Sequence, residues 1–148
     1  MMKKVLAPLM FALMCTAAPA RAEPAGGAAF TQCAGYYLAL LQWAGKDRLG
    51  EDAWATYLAG WRRNMEATAL LKLAEGERSP DVAVALAKVG SKEAAAGILA
   101  RLKANAERSG QRLTADPELL RIGIRCPSVT REANDVIARI VRAAKRES

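Results

Sequence analysis

Apolar residues recur every three or four positions through most of this chain, and no stretch alternates with a period of two. That spacing is the mark of helices with one buried face, so the reading is all-α. The plainest case spans residues 51–74. Trp54, Leu58, Trp61, Met65, Ala69 and Leu73 step along one face, with Tyr57 and Leu70 widening it. Arg62, Arg63, Glu66 and Lys72 hold the other side. Glu51 and Asp52 stand in the first turn, where negative charge complements the helix dipole. This helix is expected to be the central plank of the core.

The same periodicity predicts a first helix from Thr31, read as its N-cap, to Gly45. Cys33, Tyr36, Tyr37, Leu40 and Ala44 form its stripe, and a polar connection, Lys46 to Gly50, follows. Tyr36 and Tyr37 fit a ligand platform or a core with hydroxyls at its rim, and the core reading is preferred. After a loop at residues 75–79, Ser79-Pro80-Asp81 combines a cap, a proline suited to the first helical position and an acid. A short helix to Val89, a break at Gly90-Ser91 and a further helix from Lys92 to Arg108 are expected. Residues 82–102 (VAVALAKVGSKEAAAGILARL) resemble one unit of a HEAT-like helical repeat, which implies a tight helical hairpin there. Asp116-Pro117-Glu118 repeats the start signal after a loop at residues 109–115. The expected helix from Pro117 ends at Cys126-Pro127, because proline disfavours helix in the residue before it. A last helix, from about Ser128 to Lys145, carries Val129, Ala133, Val136, Ile137, Ile140, Val141 and Ala144 on one face, with Arg131, Asp135, Arg139, Arg142 and Arg146 opposite. The fold predicted is a single bundle of about five helices over residues 31–148.

The first residues change the picture of where this bundle works. Lys3 and Lys4 precede an apolar run from Val5 to Ala17, and Ala20-Arg21-Ala22 is an A-x-A pattern followed by Glu23. This three-part layout predicts a secretory signal peptide over residues 1–22, cleaved between Ala22 and Glu23. The run is shorter than the roughly 20 residues that span a bilayer. Residues 23–30 (EPAGGAAF) are expected to form a flexible tail. The periplasm is the expected location, and no transmembrane segment is expected in the mature chain. Cys15 would leave with the signal, so Cys33 and Cys126 remain and are expected to pair in an oxidising compartment. Their bridge would place the two Cα atoms about 4–7 Å apart.

Composition then removes most chemistry. The formal charge of +7 includes Lys3, Lys4 and Arg21 but no acid from residues 1–22, so the mature chain carries +4. That balance favours solubility, and no nucleic-acid partner is expected. The chain has no histidine, which excludes Ser-His-Asp and Cys-His catalysis and the usual zinc ligand sets. No phosphate-cradling glycine motif is present, and no cofactor, metal or catalytic residue is assigned. The carboxylate neighbours Glu51–Asp52 and Glu75–Glu77 are the only route to acid–base work, which needs two carboxyls converging in a cleft. The basic face of the last helix offers an anionic membrane surface as a secondary partner. The function expected is non-catalytic, through contact with another envelope protein. The alternatives are an immunity-type inhibitor of an envelope-targeting toxin, a carboxylate-dependent cell-wall hydrolase, and a structural or stress-related envelope protein.

Overall fold

A computed structural model describes residues 26–109 and 116–148. The expected signal peptide, its cleavage point at Ala22 and Glu23, the first residues of the expected tail and most of the loop before Asp116 lie outside the described residues. Among the described residues there are four helices and no strand: α1 (Gly27–Leu49), α2 (Glu51–Ala74), α3 (Pro80–Ser109) and α4 (Pro117–Glu147). Helices α1 and α2 pack on each other and each also packs on α3 and α4, whereas α3 and α4 barely touch. The bundle is therefore a central pair flanked by one helix on either side. No helix is long and apolar enough to cross a membrane among the described residues.

Helix α2 has the bounds its pattern predicts. Helix α1 starts at Gly27, four residues before the expected Thr31, so residues 27–30 of the expected tail are helical. Gly26 at its N-cap provides no side-chain cap bond. Phe30, however, is fully buried. Burying a phenylalanine contributes about 2–3 kcal/mol, more than the ~1 kcal/mol a good cap supplies. The expected end at Gly45 is real. Its φ of 70° interrupts the helix, and Gly50, at φ 78°, closes the single turn that follows before α2 begins.

Two expected breaks do not occur, so the count is four helices rather than about five. Helix α3 runs through Gly90 and Ser91, and the HEAT-like hairpin is absent. Neither residue marks a turn: both are helical, and positive φ among the described glycines falls at Gly45, Gly50 and Gly76. Their smallness serves packing instead. A Cβ on Gly90 would lie 3.2 Å from the Thr31 methyl of α1. The buried Ser91 hydroxyl donates to the Lys88 carbonyl at 2.9 Å and accepts from Trp61 Nε1 of α2 at 3.5 Å. One turn further along, Gly35 of α1 lies directly on the Ala94–Ala95 backbone, 2.8 Å from the Ala95 nitrogen if it carried a Cβ. Contact with two neighbouring helices outweighs the ~1 kcal/mol a mid-helix glycine costs.

Helix α4 likewise continues through Pro127. Pro127 has no N–H to give the Gly123 carbonyl, a cost of about 3 kcal/mol. Ile122, Cys126, Val129, Ala133, Val136 and Ile137 lie on both sides of it, yet belong to one buried cluster with Phe30, Cys33, Tyr37 and Ala67. Breaking the helix would turn half of that face away from the core.

The start signals at α3 and α4 are both real. Ser79 Oγ accepts from Val82 N at 3.4 Å. Asp116 accepts from the Glu118 and Leu119 amides, and its carboxylate is gripped by Arg101 of α3 through Nε and Nη2, each at 3.1 Å. One side chain thus caps α4 and ties it to α3, which otherwise hardly meets it. The Arg101 hydrogen bonds, aided by the capped amides, hold the Asp116 carboxyl below its ordinary value of 3.8.

Three outcomes are expected. Gly35→Ala should lower the melting temperature sharply, by overpacking worth about 1–3 kcal/mol or more. Gly97→Ala, where nothing lies within 4 Å of the new methyl, should raise it through a stabilisation of about 0.5–1 kcal/mol. Because folding depresses the pKa of Asp116, its contribution is fully present above the unfolded value and is lost as pH falls through the folded one. Thermal melts of Asp116→Asn from pH 7 to pH 2 should therefore start lower than wild type and converge with it at the acid end.

Candidate functional site

The two cysteines are brought together as their sequence context predicts. Cys33 in α1 and Cys126 in α4 form a disulfide with a Cα–Cα distance of 5.4 Å, closing a separation of 93 residues. Both are fully buried. On the chain-entropy model such a loop is worth about 4–5 kcal/mol. The bridge differs from expectation in one respect. Since α4 is continuous, it joins the second turn of α1 to the third turn of α4 and not to the helix end expected at Cys126-Pro127.

A polar network sits beside the bridge. Thr130 Oγ1 donates to the Cys126 carbonyl at 2.9 Å, which commits its only proton. It therefore accepts from Asn64 Nδ2 of α2 at 2.8 Å and from the Tyr37 hydroxyl of α1 at 3.3 Å. The second Asn64 proton goes to the Gly60 carbonyl at 2.8 Å. Thr130 thus ties three helices together at one oxygen. The Asn64 Oδ1 atom is buried with no hydrogen-bond partner.

This network forms the rear wall of an open groove of about 1040 Å³ between α2 and α4, floored by α1. Two glycines seat the tyrosines there. A Cβ on Gly60 would lie 2.7 Å from the Tyr37 ring, and one on Gly123 would lie 2.5 Å from the Tyr36 hydroxyl. Each ring can therefore lie directly on a neighbouring backbone. Tyr36 meets Tyr37 edge-on with centroids 5.7 Å apart, and Tyr37 meets Tyr57 at 5.9 Å. Burial pushes both the Tyr36 and Tyr37 phenols above their ordinary value, so both stay neutral at physiological pH. The tyrosines pack the core, as preferred from the sequence, and also present a ring surface to the groove. Arg63, Asn134, Ile137 and Val141 also line it. Asn134 carried no signal in the sequence. Position 134 gains its setting only because α4 continues through Pro127.

The carboxylate pairs do not form an acid–base site. Glu51 and Asp52 are exposed at the start of α2, with Glu51 lying 3.5 Å from Lys46. The Glu77 carboxylate accepts from the amides of Arg78 and Ser79 in its own loop, while Glu75 lines a separate groove near Lys72 and Arg101. Among the described residues no three Cys, Asp or Glu gather where a metal ion could be held. Of the apolar face of α4, Val129, Ala133, Val136 and Ile137 are buried in the bundle, whereas Val141 and Ala144 at its end are exposed.

Thr130→Val keeps the shape but removes the shared hydroxyl, stranding the Tyr37 donor and one Asn64 donor. It should cost about 1–3 kcal/mol in denaturant unfolding, with the disulfide intact by thiol titration. A loss under about 0.5 kcal/mol would show that water replaces the hydroxyl.

Comparison of the chain with protein-family models, with curated proteins and with solved structures finds no match, so the site is interpreted from its own residues alone.

Proposed function

We propose that this protein is exported to the periplasm and acts there without catalysis, by holding another envelope protein in the groove between α2 and α4. The observation that carries the reading is the make-up of that groove: Tyr36, Tyr37 and Tyr57 beside Arg63, over the apolar Ile137 and Val141. Tyrosine and arginine are enriched where proteins bind proteins, because each offers a large, stiff surface with a polar end. The rings are braced from behind by a disulfide and by the Thr130 network. Such bracing lowers the entropy a partner must overcome on binding.

Export is supported by the Lys3–Lys4, Val5–Ala17 and Ala20-Arg21-Ala22 pattern and by a disulfide of the kind that persists in oxidising compartments. The groove offers donors and apolar surface but no converging acid and base, which suits recognition better than bond cleavage.

The test compares wild type with Arg63→Glu/Asn134→Arg as baits in native envelope extract. Arg63 is half-exposed and, among the described residues, pairs with Glu66 on its own helix at 3.2 Å, an interaction worth little to stability. Asn134 is exposed. The double variant should fold and melt like wild type, yet recover its main partner at least tenfold less well. Equal recovery by both baits, or no specific protein with wild type, would refute the reading.

A further inference from the structure

Helix α3 is apolar on two opposite sides. Its inner side, with Ala83, Ala87, Ser91, Ala95, Ile98 and Leu102, is buried against α1 and α2. Its outer side should be polar, as along α4 beyond Pro127, where Arg131, Asp135, Arg139 and Arg142 face water. Instead Val82, Leu86 and Val89 stand there, 44%, 46% and 52% exposed. Their spacing of four and three places them on one stripe, and the exposed Ala85 lies beside it. A helix that is apolar all round is normally covered on all sides, and no element of this chain covers this one among the described residues.

We infer that the stripe is covered by a second copy of the same chain, with the two α3 helices antiparallel about a two-fold axis near Leu86. The charges beside the stripe select this occupant and this direction. Asp81 and Lys92 lie on one flank, three turns apart, at opposite ends of the apolar stretch, with the exposed Lys88 on the same flank between them. When α3 meets an inverted copy of itself at Leu86, Val82 falls opposite Val89 of the second copy. Asp81 then falls level with Lys92 of the second copy, and the two-fold repeats that ion pair at the other end. In a parallel pair each Asp81 would stand level with its own counterpart and roughly 16 Å from the nearest Lys92. Such a surface is self-complementary, as a two-fold interface must be. The stripe is short, so the association belongs with small, transient interfaces. It lies on the opposite flank of the bundle from the α2–α4 groove and is independent of what that groove holds.

Sedimentation equilibrium of the oxidised protein from 5 to 500 µM tests this. Wild type should move from monomer toward dimer, with a dissociation constant of about 10–500 µM. Leu86→Glu should stay monomeric throughout, with an unchanged melting temperature at the lowest concentration because the side chain is exposed. Asp81→Lys should weaken dimerisation at least threefold, and Asp81→Lys/Lys92→Asp should bring it back. A wild type that remains monomeric at 500 µM, or a Leu86→Glu protein that dimerises as wild type does, would overturn the inference. A charge-reversed double variant no tighter than Asp81→Lys would overturn the antiparallel arrangement.

Discussion

The close approach of α1 to α3 and α2 is the contact on which the rest of this fold depends. Gly35 rests on the Ala94–Ala95 backbone, and Tyr37 rests on Gly60. Any ordinary side chain at Gly35 or Gly60 would push the helices apart. With them in place, α1 sinks between α2 and α3, and eight of its residues from Phe30 to Leu41 are buried. Its other face is then free to meet α4, where the Cys33–Cys126 bridge closes. The disulfide locks an arrangement that packing of small residues has already made possible.

The groove follows from the same geometry. Pro127, Thr130 and Asn134 lie along one continuous helix because the buried faces before and after the proline enter one core. The proline's missing N–H is a local loss set against a face of several buried aliphatic side chains. That balance keeps the groove wall straight enough for Thr130 to reach α1 and α2 at once. Stability and the groove surface therefore share residues: Tyr37 is a core residue, a hydrogen-bond donor to Thr130 and part of the groove lining.

The outside of the bundle divides by chemistry. Helix α4 turns Arg131, Arg139 and Arg142 to water and buries Val129, Ala133, Val136 and Ile137, while Leu120, Ile124 and Val141 stay exposed. Helix α3 has little charge to spare on its outer face between Asp81 and Lys92, which leaves valine and leucine exposed. The tie between Arg101 and Asp116 links these two unlike helices at one end of the molecule, where they have little other contact.

The amino-acid sequence alone determined the all-helical class, the bounds of α2, the starts of α3 and α4 and the pairing of Cys33 with Cys126. Each of these rests on local physics: a period of three to four, a proline after a capping side chain, and two cysteines outside the expected leader. Tertiary structure alone decided that Gly90-Ser91 and Cys126-Pro127 lie inside helices and that α1 begins at Gly27. In each case a local preference of about 1–3 kcal/mol was overridden by burial against helices distant in sequence. It also decided the groove, since Gly60 and Gly123 act only through the tyrosines that rest on them, and nothing in the chain's order announces which glycine will meet which ring.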